Sequence, residues 1–335
     1  MAVKFKKVMA AVTAASLCVG LASCSNSAST GGSDSAASAS QAASTVTIDD
    51  NHGKVDVAVP VQKVVSTDNR TFQVLDQWGV DLVAAPIPLI PETVPNYKNN
   101  ADIVDIGTHR EPDLEALTAA DPDLIIIGQR FVDHYEDVNK LNPEVPVVDL
   151  EPRDGKELGA ELKREVTALG EIFGKEAEAK KLNDDFDAAV ARAKKAYNSN
   201  DKVMAVNVSS GEIGYIGPGV GRTFGPVFDM LELTPALEVE NSSSNHEGDD
   251  VSVEAIADSN PDWIFVLDRD TAVADEGETV VPAKEVVGGN AALKNTTAIK
   301  KDQVIYAPAD TYLNESIITY TAILNDIADA FEAAK

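Results

Sequence analysis

The segment EALTAADPDLIIIGQR (Glu115–Arg130) recurs in the same register as EAIADSNPDWIFVLDR (Glu254–Arg269). In both copies a Glu leads into Ala and an aliphatic residue, then Pro-Asp, an apolar run and a closing Arg. Asp113 and Ser252 stand two positions before each Glu, and both residue types are good helix N-caps. Each copy therefore reads as cap, short helix, Pro-Asp turn, buried strand, and an Arg where the strand runs out. Two such units predict two lobes of like construction, with two Glu and two Arg in equivalent places.

Working outward, strand and helix patterns alternate on both sides of the repeat. VTI and VDVAV flank the turn DDNHG as a hairpin would, and Pro60 ends it. Short strands are expected at Val61–Ser66, Leu82–Ala85, Ile103–Ile106, Leu124–Gly128 and Val145–Leu150, with helices at Thr71–Trp78 and from Leu114. Between Gly155 and Tyr197 the apolar residues take helical spacing, and Gly174 divides the run into two helices. The second, from Lys175 to about Tyr197, is long enough to cross between lobes as a spine. Alternation resumes with strands Lys202–Ser209, Trp263–Leu267 and Gln303–Ala307, helices Phe224–Leu231 and Val253–Asp258, and a last helix over Ser316–Ala333. Short alternating units imply parallel sheets that bind ligands at the carboxyl ends of their strands. The expected fold is α/β, two Rossmann-like lobes joined by a long rigid helix. Residues 46–154 form the first lobe, 155–199 the linking helices and 200–335 the second lobe.

The N-terminus reads as a processing signal. Lys4, Lys6 and Lys7 precede an apolar stretch too short to anchor in a bilayer. Leu21-Ala22-Ser23-Cys24 then matches a bacterial lipobox, which makes residues 1–23 a signal peptide and Cys24 the lipidated first residue. Residues 24–45, rich in Ser, Ala and Gly, read as a flexible tether. With Cys18 removed and Cys24 acylated, the mature domain has no thiol for a disulfide or a cysteine metal site. The net charge of −27, three units more negative once the leading lysines are cut away, excludes nucleic acid as a direct partner.

Catalytic signatures are missing. The four histidines, His52, His109, His134 and His246, form no paired helical site. No nucleophile elbow, phosphate loop or dinucleotide fingerprint occurs, so no enzyme and no cofactor is expected. Arginine, scarce against the acidic background, is placed more tellingly. Arg130 and Arg269 end the two repeated strands, and Arg222 closes GPGVGR before a helix expected near Thr223, whose first N–H groups would face the same anion. Each guanidinium could contribute roughly 3 kcal/mol per ligand charge at about 5 Å and an effective dielectric of about 20, before desolvation. Arg70, in the loop after an early strand, is a fourth candidate. Glu115 and Glu254 could dock a basic receptor or simply stabilise their helices by about 0.3–1 kcal/mol. His246 lies in a polar loop, and Tyr312 follows the last strand, as rim packing or as a contact.

On these residues the chain resembles the substrate-binding lipoproteins of bacterial iron–siderophore ABC importers. It is most similar to the branch for ferric catecholate-type siderophores, petrobactin included. The resemblance rests on IIIGQR with Arg130, GVGRTFGPVFDML with Arg222, and FVLDRD with Arg269. It implies a class III fold with a helical backbone and an arginine triad in a shallow cleft. It also implies that His246 and Tyr312 meet the ligand, or iron itself where the siderophore leaves iron unsaturated, and that Glu115 and Glu254 dock on the membrane permease. A monomer is expected, lipid-anchored outside the cytoplasmic membrane, on a Gram-positive surface rather than in a Gram-negative periplasm. Haem or cobalamin is the alternative ligand within this fold.

Overall fold

A hairpin opens the described chain, its strands Ser44–Asp49 and Lys54–Val59 paired antiparallel with Ile48 opposite Val55. The computed structural model describes residues 44–274 and 278–335. The signal peptide, Cys24 and nearly all of the tether lie outside these residues. Ser44 and Thr45, expected to end the tether, already belong to the first strand.

The first sheet holds five parallel strands in the order Val104–Asp105, Leu82–Ala85, Val64–Ser66, Leu124–Ile127, Val147–Asp149. Its central strands are apolar on both faces because helices and loops cover both sides. Chain order reverses between Val64–Ser66 and Leu124–Ile127, which opens a crevice at their carboxyl ends. The second sheet repeats the plan in the order Glu212–Tyr215, Lys202–Ser209, Trp263–Asp268, Val304–Tyr306. Its switch point falls between Lys202–Ser209 and Trp263–Asp268. In both sheets the repeated strand is thus the one beside the switch.

One departure from the expected all-parallel order is Glu212–Tyr215, which runs antiparallel to Lys202–Ser209. The connection is two residues long, Ser210 and Gly211, both at positive φ (54° and 73°). That turn reverses the chain in the hand that strands favour.

The expected pair of long helices spans Leu158–Phe173 and Glu176–Ala196, with Gly174 in the left-handed conformation between them. The second helix, about 30 Å long, turns Phe186, Ala189, Ala193 and Ala196 inward. Its small residues let the terminal helix Ile317–Ala333 pack close against it. A single hydrophobic core runs from Ile48, Val64 and Phe72 through these helices to Phe265 and Phe331 of the second lobe. Smaller cores fill the outer face of each sheet.

Not every charge on the first long helix is solvated. Glu161 is buried against Arg153 and Arg164, at 2.7 and 3.1 Å. Glu165 is buried without a cationic partner within ion-pair distance among the described residues. Burial, then the nearby charge of Asp68, pushes its carboxyl well above the usual range.

Candidate functional site

Each arginine of the predicted triad is delivered by a constrained piece of backbone. After Leu124–Ile127 the chain passes through Gly128, where a Cβ would come within 2.2 Å of an Asp68 carboxylate oxygen, so only glycine fits. Gln129 follows at φ 46° and starts the 3-10 turn that carries Arg130. Arg269 opens the short helix Arg269–Val273, capped by Asp268. Arg222 ends a glycine loop in which the Gly221 N–H donates to the Gly217 carbonyl at 2.8 Å, and Thr223 after it sits at φ 59°.

The helix beyond Arg222 begins at Gly225 rather than near Thr223, and its leading N–H groups turn mainly to backbone carbonyls. Phe224, Gly225 and Val227 donate to Arg222, Gly221 and Phe224 carbonyls, and Pro226 has no N–H to give. The anion-attracting part of this loop is therefore the Arg222 side chain.

The three guanidiniums converge on Tyr312. Their central carbons lie 5.6 Å (Arg130), 4.1 Å (Arg222) and 5.4 Å (Arg269) from the centre of its ring. Arg222 and Arg130 also donate to the Tyr312 carbonyl, at 3.0 and 3.4 Å. Expected as rim packing or a contact, Tyr312 is only 6% exposed and serves as a platform beneath the arginines. A ring face attracts each cation by about 0.5–2 kcal/mol, which eases their mutual repulsion. Burial, then the neighbouring Arg222, lowers the pKa of Arg130.

Among the described residues, neither Arg130 nor Arg269 has a carboxylate within ion-pair distance. Arg130 donates to the Gln129 side chain at 3.0 Å and Arg269 to the Ser209 hydroxyl at 3.2 Å. Arg222 is partly neutralised by Glu315 at 2.8 Å. Burial opposes the charge on Glu315, yet Arg222 and Arg70 prevail and its pKa is lowered.

Arg70 does not join the triad. It is mostly buried and bound by both oxygens of Glu151, at 3.0 and 2.9 Å, with Glu315 at 3.9 Å. Expected in a loop after an early strand, it lies instead in the first turn of the helix Asn69–Gln77, held by two acids and outside the cleft lining.

The cleft above the arginines has a volume of about 730 Å³ and is walled by loops from both lobes. Arg130, Arg222, Arg269, His246 and Tyr312 all line it. His246 is exposed, with Glu247 3.7 Å away. Sequence reasoning missed Lys98, His109 and Arg110, which add basic groups from the first lobe, and Asp310 on the opposite wall. It also missed Glu315, although ADTYLNES was in view; with acids so abundant, nothing singled it out.

Glu115 and Glu254 are exposed and take no part in an ion pair among the described residues. Capping falls to Asp113 and Ser252, which accept from the N–H groups of Ala116 and Ala255 at 2.8 and 3.2 Å. The two glutamates thus present free carboxylates in the first turns of equivalent helices.

A family model described as periplasmic binding protein matches residues 64–311, from the first strand of the first sheet to the residue before Tyr312. The chain is 30% identical over 292 residues to the ferric-anguibactin-binding protein FatB of Vibrio anguillarum, covering 86% of this chain and 88% of that one. It is 30% identical over 276 residues to the petrobactin-binding protein YclQ of Bacillus subtilis, covering 81% and 83%. The crystal structure of YclQ superposes with a TM-score of 0.72 at 28% identity, over 86% of this chain and 99% of that one. BauB, solved with two acinetobactin molecules and ferric iron, gives 0.74 at 25% identity, over 86% and 99%.

Proposed function

The chain belongs to the periplasmic binding protein family, and from that premise we propose that it captures a ferric siderophore of the catecholate type and delivers it to an ABC importer. Members of this family work outside the cytoplasm as the solute-binding part of a transporter and catalyse no reaction. The observation that carries the ligand class is the convergence of three guanidiniums on one tyrosine ring, two of them without a carboxylate partner among the described residues.

A ferric tris-catecholate carries roughly three negative charges on a propeller of flat rings, which suits planar guanidinium donors that both hydrogen-bond and stack. A cleft of about 730 Å³ is wide enough for so bulky an anion. Where a siderophore supplies only four donor atoms, His246 and the Tyr312 hydroxyl are among the groups in the cleft that could complete the shell of the iron cargo. Iron(III) favours hard oxygen donors, so the tyrosine is the better suited of the two.

Glu115 and Glu254, one on each lobe and both uncommitted, would engage basic residues of the permease. The lipobox ending at Cys24 supports a lipid anchor, with the tether giving a reach of roughly 25 Å from the membrane. No described helix is long and apolar enough to cross a membrane. Tryptophan quenching of the mature domain against ferric tris-catecholate, ferric hydroxamate, haem and cobalamin tests the ligand class. Saturable quenching by the catecholate is expected, and silence with every catecholate refutes the proposal.

A further inference from the structure

Glu315 is the point at which the two lobes meet electrically. One carboxylate oxygen accepts from Arg222 at 2.8 Å and from the Gln129 side chain at 3.2 Å, and the other accepts from the Thr223 hydroxyl at 2.6 Å. Arg70 adds a guanidinium 3.9 Å away. Gln129 and Arg70 belong to the first lobe, Arg222 and Thr223 to the second.

Two of these partners adjoin triad arginines in sequence. Gln129 precedes Arg130 and Thr223 follows Arg222, and both occupy left-handed backbone (46° and 59°) that non-glycine residues seldom adopt, a β-branched threonine least of all. Such backbone persists only where surroundings impose it. Glu315 is fully enclosed and bonds to both side chains, while the Gln129 N–H donates to Glu151. Glu315, together with Glu151 at Gln129, therefore braces the two bends beside Arg130 and Arg222.

Glu315 also places one negative charge directly under the cationic floor. Of the three guanidiniums facing the cleft, it bonds to Arg222 alone. We infer that Glu315 is a positioning and specificity-determining residue, which orients two arginines and sets the net charge against which a ligand is selected. The inference rests on the ferric-siderophore reading above and adds to it a residue that never touches the ligand.

The decisive variant is Glu315→Gln, which keeps the size and one acceptor oxygen but removes the charge. Two probes serve: the ferric complex of a hexadentate tris-catechol, of net charge about −3, and that of a tetradentate bis-catechol, of net charge about −1. The preference for the first over the second should rise about tenfold in Glu315→Gln at low ionic strength, and the gain should shrink in high salt. A wild-type preference in a variant that melts like wild type would overturn the inference. Should Glu315→Gln fail to fold, Glu315→Asp keeps the charge on a shorter arm. It should bind both probes about tenfold more weakly with the wild-type preference retained, and unchanged affinity for both would equally overturn the inference. Wild-type protein that binds neither probe would overturn the siderophore reading first, and this inference with it.

Discussion

Arg222 holds Tyr312 from two directions: its guanidinium carbon lies 4.1 Å from the ring centre, and its Nη2 donates to the Tyr312 carbonyl at 3.0 Å. The ring is thereby clamped under the cation instead of standing free in the cleft. Ligand recognition then depends on a cluster of like charges held together by one aromatic face and one carboxylate.

Tyr312→Phe keeps the platform and should leave affinity for a hexadentate ferric tris-catecholate within about twofold of wild type. Tyr312→Ala removes it and should weaken binding by about tenfold or more. If the hydroxyl reaches iron in a tetradentate complex, Tyr312→Phe should also abolish the change in its charge-transfer absorption on binding. A retained spectral change would remove Tyr312 as an iron ligand.

Replacing Arg130 or Arg269 with Ala should each cost about 2 kcal/mol of affinity, roughly thirtyfold, because each offers the ligand charge-assisted hydrogen bonds. Neither change should lower thermal stability much, since neither arginine is paired with an acid among the described residues. Arg70→Met should do the reverse. It strands Glu151 without its guanidinium, takes from Glu315 the more distant of its two, and should destabilise the fold by about 3 kcal/mol in chemical denaturation. Equal stability of the Arg70 and Arg130 variants would contradict this division of roles.

The buried Glu165 should make stability fall as pH rises. Burial, then Asp68, raises its carboxyl pKa in the fold. The folded protein therefore keeps a proton that the unfolded chain releases at the ordinary carboxylate pKa. Its contribution declines as pH climbs above that value toward the folded pKa. Glu165→Gln should be more stable than wild type at pH 8, with the gap closing toward pH 5. A gap independent of pH would show that the residue does not titrate differently on folding.

Glu115→Ala combined with Glu254→Ala should abolish iron uptake by cells while leaving the affinity of the purified domain unchanged. Normal uptake would return both residues to a role in helix stabilisation alone.

The sequence made the arrangement of lobes legible because the doubled Glu-to-Arg segment carries its own punctuation. Caps at Asp113 and Ser252, Pro-Asp turns and buried runs fall where local chemistry dictates them. The arginines could be read because few were available in an acidic chain, and strand ends point to the crevice. The platform under them could not be read. Tyr312 is a platform only because Arg130 and Arg222, both far away in sequence, reach its carbonyl. Glu315 and the buried fate of Arg70 depend on the same long-range closure, and no local pattern separates a buried carboxylate from the many solvated ones. The antiparallel Glu212–Tyr215 strand was within reach, since Ser210-Gly211 is a turn signal.

A ferric complex should sit over the three arginines. Anomalous scattering at the iron absorption edge, from crystals of the mature domain with ferric tris-catecholate, tests it most directly. A single iron peak is expected in the cleft above Tyr312, with catecholate oxygens within hydrogen-bond distance of Arg130, Arg222 and Arg269. Iron bound elsewhere, or in the cleft but out of reach of these guanidiniums, would contradict it.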